Sequence, residues 1–192
     1  MSFLKKYIKT ENNTYINSKK IGQAIYSIGF NGNQYGIITK TGLDGDIIWE
    51  KRYSNIKGCF QFINIIACSN SDFLVLAVDS LSTNSALIRI NSNGDFIWEK
   101  RFQQGTLNED WYQNQKLINV GNEIYFLMLN TIQDQTGINE TTIYKIGATG
   151  SIISQKNINS SDGEFYFGEI TSYANKLSIY GGFKSSSTQL ID

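Results

Sequence analysis

The sequence has no histidine. That removes the commonest general base, the usual catalytic triads and most zinc sites. It has no proline either, so Gly, Asn, Asp and Ser must supply the turn chemistry. Cysteine is limited to Cys59 and Cys68. On one strand, nine steps of ~3.3 Å put them roughly 30 Å apart on opposite faces, so two free thiols are expected. There is no charge excess of either sign, with 17 Lys plus Arg against 17 Asp plus Glu. No net field therefore favours nucleic acid or an acidic membrane surface, and neither is expected as a partner. The pairs Lys5-Lys6 and Lys19-Lys20 read as solvated strand ends. No segment approaches the ~20 apolar residues of a membrane span. The opening Met1 to Thr10 carries charges with no apolar stretch behind them, unlike a secretory signal, which points to a cytoplasmic protein.

What the sequence does contain is a repeat. Ile38-Thr-Lys-Thr-Gly-Leu-Asp-Gly-Asp-Ile-Ile-Trp-Glu-Lys-Arg-Tyr53 matches Leu87-Ile-Arg-Ile-Asn-Ser-Asn-Gly-Asp-Phe-Ile-Trp-Glu-Lys-Arg-Phe102 without a gap. An eroded third copy runs Ile143 to Ile158, with Ser154 where the tryptophan stands in the others. Each copy reads as strand, Gly-containing turn, strand. Two further strand-like runs precede each hairpin: Phe60 to Ser69 and Asp72 to Asp79 in the second copy, Trp111 to Val120 and Glu123 to Asn130 in the third. No stretch has the length and apolar stripe of a helix. The expected fold is all-β, built from ~48-residue four-stranded antiparallel meanders a-b-c-d, the period and content of a β-propeller blade.

The ends fit one closed domain over residues 1–192. Phe3-Leu-Lys-Lys-Tyr7 aligns with Trp49-Glu-Lys-Arg-Tyr53 as a lone strand d. Gly182 to Asp192 runs in step with Gly29 to Thr39 and stops on a strand c. The expectation is a four-bladed β-propeller whose fourth blade is split between residues 1–8 and 163–192. The ring would be closed by the N-terminal strand pairing with Thr188–Asp192, which removes open sheet edges.

The run Ala86-Leu-Ile-Arg-Ile-Asn-Ser-Asn-Gly-Asp-Phe-Ile-Trp-Glu-Lys-Arg-Phe102 resembles the repeats of bacterial propeller proteins of the quinoprotein-like and related groups, in which a strand-d tryptophan docks between blades. The resemblance implies architecture and says little of activity, since propellers host enzymes, lectins and scaffolds alike. Quinoprotein enzymes use a quinone and calcium, but their ligand pattern has no match here, so no cofactor is expected.

Recurrence makes Trp49 and Trp98 packing elements of the repeat. Alternation puts Trp49, Lys51 and Tyr53 on one face of strand d, and Glu50 with Arg52 on the other. The turns Asp44-Gly-Asp46 and Asn91 to Asp95 have oxygen-rich spacing, but lack the downstream Glu of a calcium loop and suit hairpins better. Carboxylate pairs for acid–base chemistry are Glu164 with Glu169, Glu109 with Asp110, and Asp134 with Glu140, all in polar contexts that solvation explains. No nucleophile motif accompanies them, and the chain is read as non-enzymatic.

The departures from the repeat point to function. The third copy has the longest b–c loop, Thr131 to Thr142, and an elaborated approach to its first strand, Gln103 to Tyr112. A meander brings these two connections to one end of its sheet. Loops on a rigid scaffold are where binding resides. The candidate partner-binding residues are Trp111, Tyr112, Glu109, Asp110, Asp134 and Gln135. Aromatics at the starts of strands a (Tyr15, Phe60, Phe62, Trp111, Tyr112, Phe165, Tyr166, Phe167) read as wedges between blades, or as a stacking platform. The favoured reading is a non-enzymatic module that binds a protein partner through the loop-bearing face. The alternatives are a lectin-like carbohydrate binder with one shallow site per blade, and a hydrolase or lyase with carboxylates in the channel.

Overall fold

The computed structural model describes residues 13–32, 35–54, 59–68, 70–79, 84–103, 115–131, 139–158, 163–174 and 176–185. Their regular structure is entirely β. The strands are β1 (Asn13–Ile21), β2 (Ala24–Asn31), β3 (Tyr35–Gly42), β4 (Ile47–Tyr53), β5 (Cys59–Ala67), β6 (Phe73–Asp79), β7 (Asn84–Ile90), β8 (Phe96–Gln103), β9 (Lys116–Val120), β10 (Glu123–Thr131), β11 (Asn139–Ile146), β12 (Ile152–Ile158), β13 (Gly163–Tyr173) and β14 (Lys176–Ser185). They form three four-stranded sheets in simple sequence order, β1–β4, β5–β8 and β9–β12, and the pair β13–β14. Among the described residues no helix is long and apolar enough to cross a membrane. The terminal strands expected at Ser2–Tyr7 and Thr188–Asp192 lie outside the described residues.

The repeat shows first in its turns. Gly42 N–H donates to Asp46 O at 2.8 Å and Gly45 N–H to Gly42 O at 3.0 Å. The same pair of bonds closes Asn91–Asp95 (2.9 and 2.9 Å) and Gly147–Ser151 (2.8 and 3.0 Å). Gly45, Gly94 and Gly150 sit at φ +85°, +78° and +81°, the left-handed region where a side chain is penalised. That is a type I turn followed by a glycine bulge. The β5–β6 turn uses the same bonds, from Cys68 N–H to Asp72 O and Ser71 N–H to Cys68 O, with Ser71 at φ +67°.

Strands a bulge at a common position. The register jumps between Tyr15 and Asn17 in β1, between Phe62 and Asn64 in β5, and between Phe167 and Glu169 in β13. The residue before each bulge is aromatic, and it faces Gly29, Ala77 and Gly181 respectively. Counted from its turn, Gly181 therefore holds the place of Gly29. The sequence match to Gly182 is offset by one, because two adjacent glycines align equally well either way. At Gly29 a Cβ would lie 1.9 Å from the Thr14 carbonyl oxygen, so the bulge requires glycine there.

The chain divides into two compact units, Met1–Phe102 and Gln103–Asp192. In the first, the sheets β1–β4 and β5–β8 share a core of Tyr26, Ile28, Ile38 and Tyr53 with Phe62, Ile65, Phe73, Val75 and Ile88. Phe62 is fully buried, lies with its ring centre 5.4 Å from that of Tyr53, and fills the space a Cβ on Gly36 would need. Its role is that of a wedge between sheets. Every residue from Phe73 to Val78 is buried, so both faces of β6 are covered, as continuous apolar runs demand. In the second unit Leu127 and Ile170 pack with Ile118, Tyr125, Ile143, Leu177 and Ile179.

Candidate functional site

Strand β4 meets the β7–β8 turn along the face that alternation assigns to Trp49, Lys51 and Tyr53. Trp49 is half-buried; its ring lies where a Cβ on Gly94 would come within 3.0 Å, and its centre is 6.0 Å from that of Tyr26. Its Nε1 is buried without a hydrogen-bond partner. Lys51 pairs with Asp95. The Tyr53 hydroxyl donates to the Gly94 carbonyl at 2.7 Å. Burial first, and the Asp95 carboxylate second, push the Tyr53 phenol well above its ordinary range, so it stays a donor. Hydrogen bonds from Lys51 and Asn91 hold the Asp95 carboxyl below its usual value.

These groups line a cleft of about 600 Å³ formed by Lys51, Arg52, Tyr53 and Ser54 on one side and Gly94, Asp95, Phe96 and Glu99 on the other. Glu99 accepts from Arg101 at 3.0 Å, and Arg52 reaches Glu50 at 4.0 Å. The third repeat keeps this i,i+2 pair in neutral form: Gln155 Nε2 donates to Asn157 Oδ1 at 3.2 Å. On the opposite face of the first sheet, the Tyr15 hydroxyl shares a hydrogen bond with Thr39 Oγ1 at 2.7 Å, and Thr39 donates to Glu50 at 3.1 Å. The cleft carries side chains of both charges beside the rings of Tyr53 and Phe96. Among the described residues no group of three or more His, Cys, Asp or Glu could hold a metal. The Asn91 side-chain oxygen is occupied by the backbone N–H groups of Asn93 and Asp95, at 2.9 and 2.8 Å.

Trp111, Tyr112, Glu109, Asp110, Asp134 and Gln135 all lie outside the described residues. The connections at that end of the third sheet span 104–115 before β9 and 132–138 between β10 and β11. Their counterparts span only 54–58 and 159–162, and 32–34 and 80–83. Glu164 and Glu169 fall on β13 opposite Lys184 and Tyr180, on either side of the bulge. Of the aromatics at strand starts, Phe62 is a buried wedge and Tyr15 is partly exposed.

Two features escape motif reasoning. Arg89, within the apolar run of β7, is buried and donates to Asp72 Oδ2 at 2.9 Å. The signal was a lone charge at a core position, which demands a partner. Beside this pair, burial raises the Cys68 thiol, Arg89 acts to lower it and Asp72 to raise it; the thiol is free. Second, Ile47 with Ile48, Phe96 with Ile97, and Ile152 with Ile153 are exposed large apolar pairs at the start of each described strand d. They were legible as the residues following each Gly-Asp or Gly-Ser.

The chain matches no family model, and comparison with the curated proteins finds no match either.

Proposed function

We propose that the chain is a four-bladed propeller and a non-enzymatic module that recognises a protein partner through the loop-bearing end of its third sheet, with Trp111 and Tyr112 as anchors. The observation that carries this reading is the length of the 104–115 and 132–138 connections against their counterparts. Antiparallel order brings the start of β9 and the β10–β11 connection to the same end of that sheet. Elsewhere the repeat conserves its connections closely, so elaboration confined to one end suits a single asymmetric site. Large aromatic side chains are typical interface anchors. The recurrent exposed apolar pairs on strands d give a second surface against which this one can be tested.

A carbohydrate reading would place one shallow site at each junction between repeats. The cleft at Lys51 and Asp95 has that character, but its lining is not repeated. At the corresponding positions of the next repeat stand Phe102 for Tyr53, Ser151 for Asp95 and Gln155 for Glu99. That erosion favours the protein-binding reading.

The test compares wild type with Trp111→Ala in capture of proteins and in glycan-array binding, with melting temperature measured alongside. The expected result is a captured protein whose affinity falls about thirtyfold in the variant while melting is unchanged. Glycan binding without protein capture would overturn the reading. So would capture that survives Trp111→Ala and is lost on Ile48→Ser with Ile97→Ser.

A further inference from the structure

The three four-stranded sheets each carry a cation at the same place on their third strand: Lys40, Arg89 and Lys145. In two of them a carboxylate at the start of the second strand meets it. Arg89 donates to Asp72 at 2.9 Å, and Lys145 pairs with Glu123. Glu123 also accepts from the Tyr125 hydroxyl at 2.6 Å, so one carboxylate takes both donors. Asp72 and Glu123 each stand two residues before the residue that faces the cation across the strands, Leu74 and Tyr125 respectively. In the first sheet that facing residue is Tyr26, and two residues before it stands Ala24.

The first sheet therefore keeps the tyrosine and the lysine and has no acid for them. Lys40 Nζ lies 5.5 Å from the centre of the Tyr26 ring and, among the described residues, forms no ion pair. Tyr26 is 3% exposed; its hydroxyl has no hydrogen-bond partner among those residues and is not sealed from solvent. On the other side of Tyr26 the register places Lys19, where the other two sheets have Ile66 and Ile118. Lys19 is exposed and likewise has no acidic partner among the described residues. Desolvation lowers its ammonium from the ordinary value, and no carboxylate acts against it. The neighbouring acids are engaged elsewhere. Asp44 accepts from the Asp46 N–H at 3.1 Å, and Glu50 accepts from Thr39 on the opposite face. Two like charges flanking one ring, roughly 10 Å apart at the backbone, repel and add nothing to the fold.

We propose that Tyr26, Lys40 and Lys19 hold the carboxylate of a ligand, in the role that Glu123 fills for Tyr125 and Lys145. The Tyr26 hydroxyl donates one hydrogen bond, and Lys40 donates a second, charge-assisted one, the stronger kind. Lys19 adds a second positive charge, which suits an acid carrying more than one carboxylate. The third sheet shows the same donor pair holding a carboxylate without an arginine. All three side chains belong to one sheet of the first unit. The inference is therefore independent of ring closure and of the loop-bearing end.

The test titrates the full chain with acetate at constant ionic strength and follows the lysine ε-methylene and tyrosine ring resonances by NMR. Saturable shifts are expected at Lys19, Lys40 and Tyr26, with Lys51 and Lys145 silent because each already meets a carboxylate. Tyr26→Phe should weaken binding about fivefold, as loss of one hydrogen bond would. Lys40→Gln should weaken it about tenfold or more, since that bond carries a charge. Two further variants exchange the sheets. Ala24→Glu supplies the acid and should abolish binding; Glu123→Ala removes it and should make Tyr125 and Lys145 respond to acetate. Glu123 is exposed, so Glu123→Ala carries the exchange if Ala24→Glu fails to fold. Succinate and a glutamate-containing peptide, run beside acetate, identify the source by the tighter binder: a free dicarboxylic acid or the side chain of a protein. Shifts matched by chloride, or shifts that survive Lys40→Gln combined with Tyr26→Phe, would overturn the proposal.

Discussion

Tyr53 and Phe102 hold the same position in successive repeats and differ by one oxygen. In Tyr53 that oxygen reaches a carbonyl of the neighbouring sheet at 2.7 Å, so its phenol is a fastener as well as a core ring. The pair beside it, Lys51 with Asp95, lies nearer solvent and answers to pH. The folded Asp95 carboxyl is held below its ordinary value by its hydrogen bonds. A depressed acid contributes stability that is present above the unfolded value, ~3.9 for aspartate, and is lost as pH falls through the folded value. Asp95→Asn should therefore melt below wild type at pH 7, and the gap should close as pH drops below about 4. Thermal melts of both proteins between pH 7 and 2.5 check this. A gap that persists at the acid end would show that Asp95 acts only through the Asn91 turn bonds. Added salt should narrow the gap at pH 7, since the carboxylate is exposed and screening reaches it.

At the scale of the element, the hairpins were the most legible part of the chain. Gly-Asp or Gly-Ser after a short polar run marks a turn in which the glycine must take positive φ, and all three such turns form alike. Strand bounds were less secure. The run expected at Asp72–Asp79 begins at Phe73, and the one expected at Phe60–Ser69 ends at Ala67. The reason is that Cys68 and Asp72 bond to each other across a turn. The bulges in β1, β5 and β13 were invisible, because an extra residue in one strand leaves no compositional mark; only the Gly29 contact demands a particular residue. The two-residue a–b turns give a controlled prediction. Gly22 and Gly121 take φ +60° and +61° at the first turn position, and Ala174 takes φ +48° there. Alanine in that region is strained by about 1 kcal/mol. Ala174→Gly should raise stability by up to about 1 kcal/mol. Gly22→Ala should lower it by a similar amount, since a Cβ there meets nothing within 4 Å and the cost is conformational. Urea midpoints of the two variants check both signs. Destabilisation by Ala174→Gly would mean that its methyl group packs to more effect than its φ costs.

For the whole molecule, the proposed ring turns on edges. β4, β8 and β12 each end a sheet, and each opens with a pair of exposed apolar residues, the combination that invites pairing with other chains. In the first unit, β6 is covered on both faces. The candidate binding residues were legible only as breaks in a repeat length, since nothing in Trp111 or Asp134 themselves says what they touch. Ring closure rests as a proposal on the match between Phe3–Tyr7 and Trp49–Tyr53, and it makes a physical demand. If the N-terminal strand completes the fourth sheet, removing residues 1–8 uncovers the edge of residues 188–192. An exposed strand edge beside exposed apolar residues should then aggregate. We expect the shortened chain to melt lower and to scatter light at concentrations where the full chain does not. The full chain, if closed, should have a radius of gyration near the ~16 Å of a compact domain of this length. Small-angle scattering decides the case: a full-length radius well above 20 Å, with no change in melting on removing residues 1–8, would leave the sheets as an open row. A compact radius that expands on truncation is the signature of closure, because a terminal segment lying outside the ring could be lost without altering the dimensions of the rest.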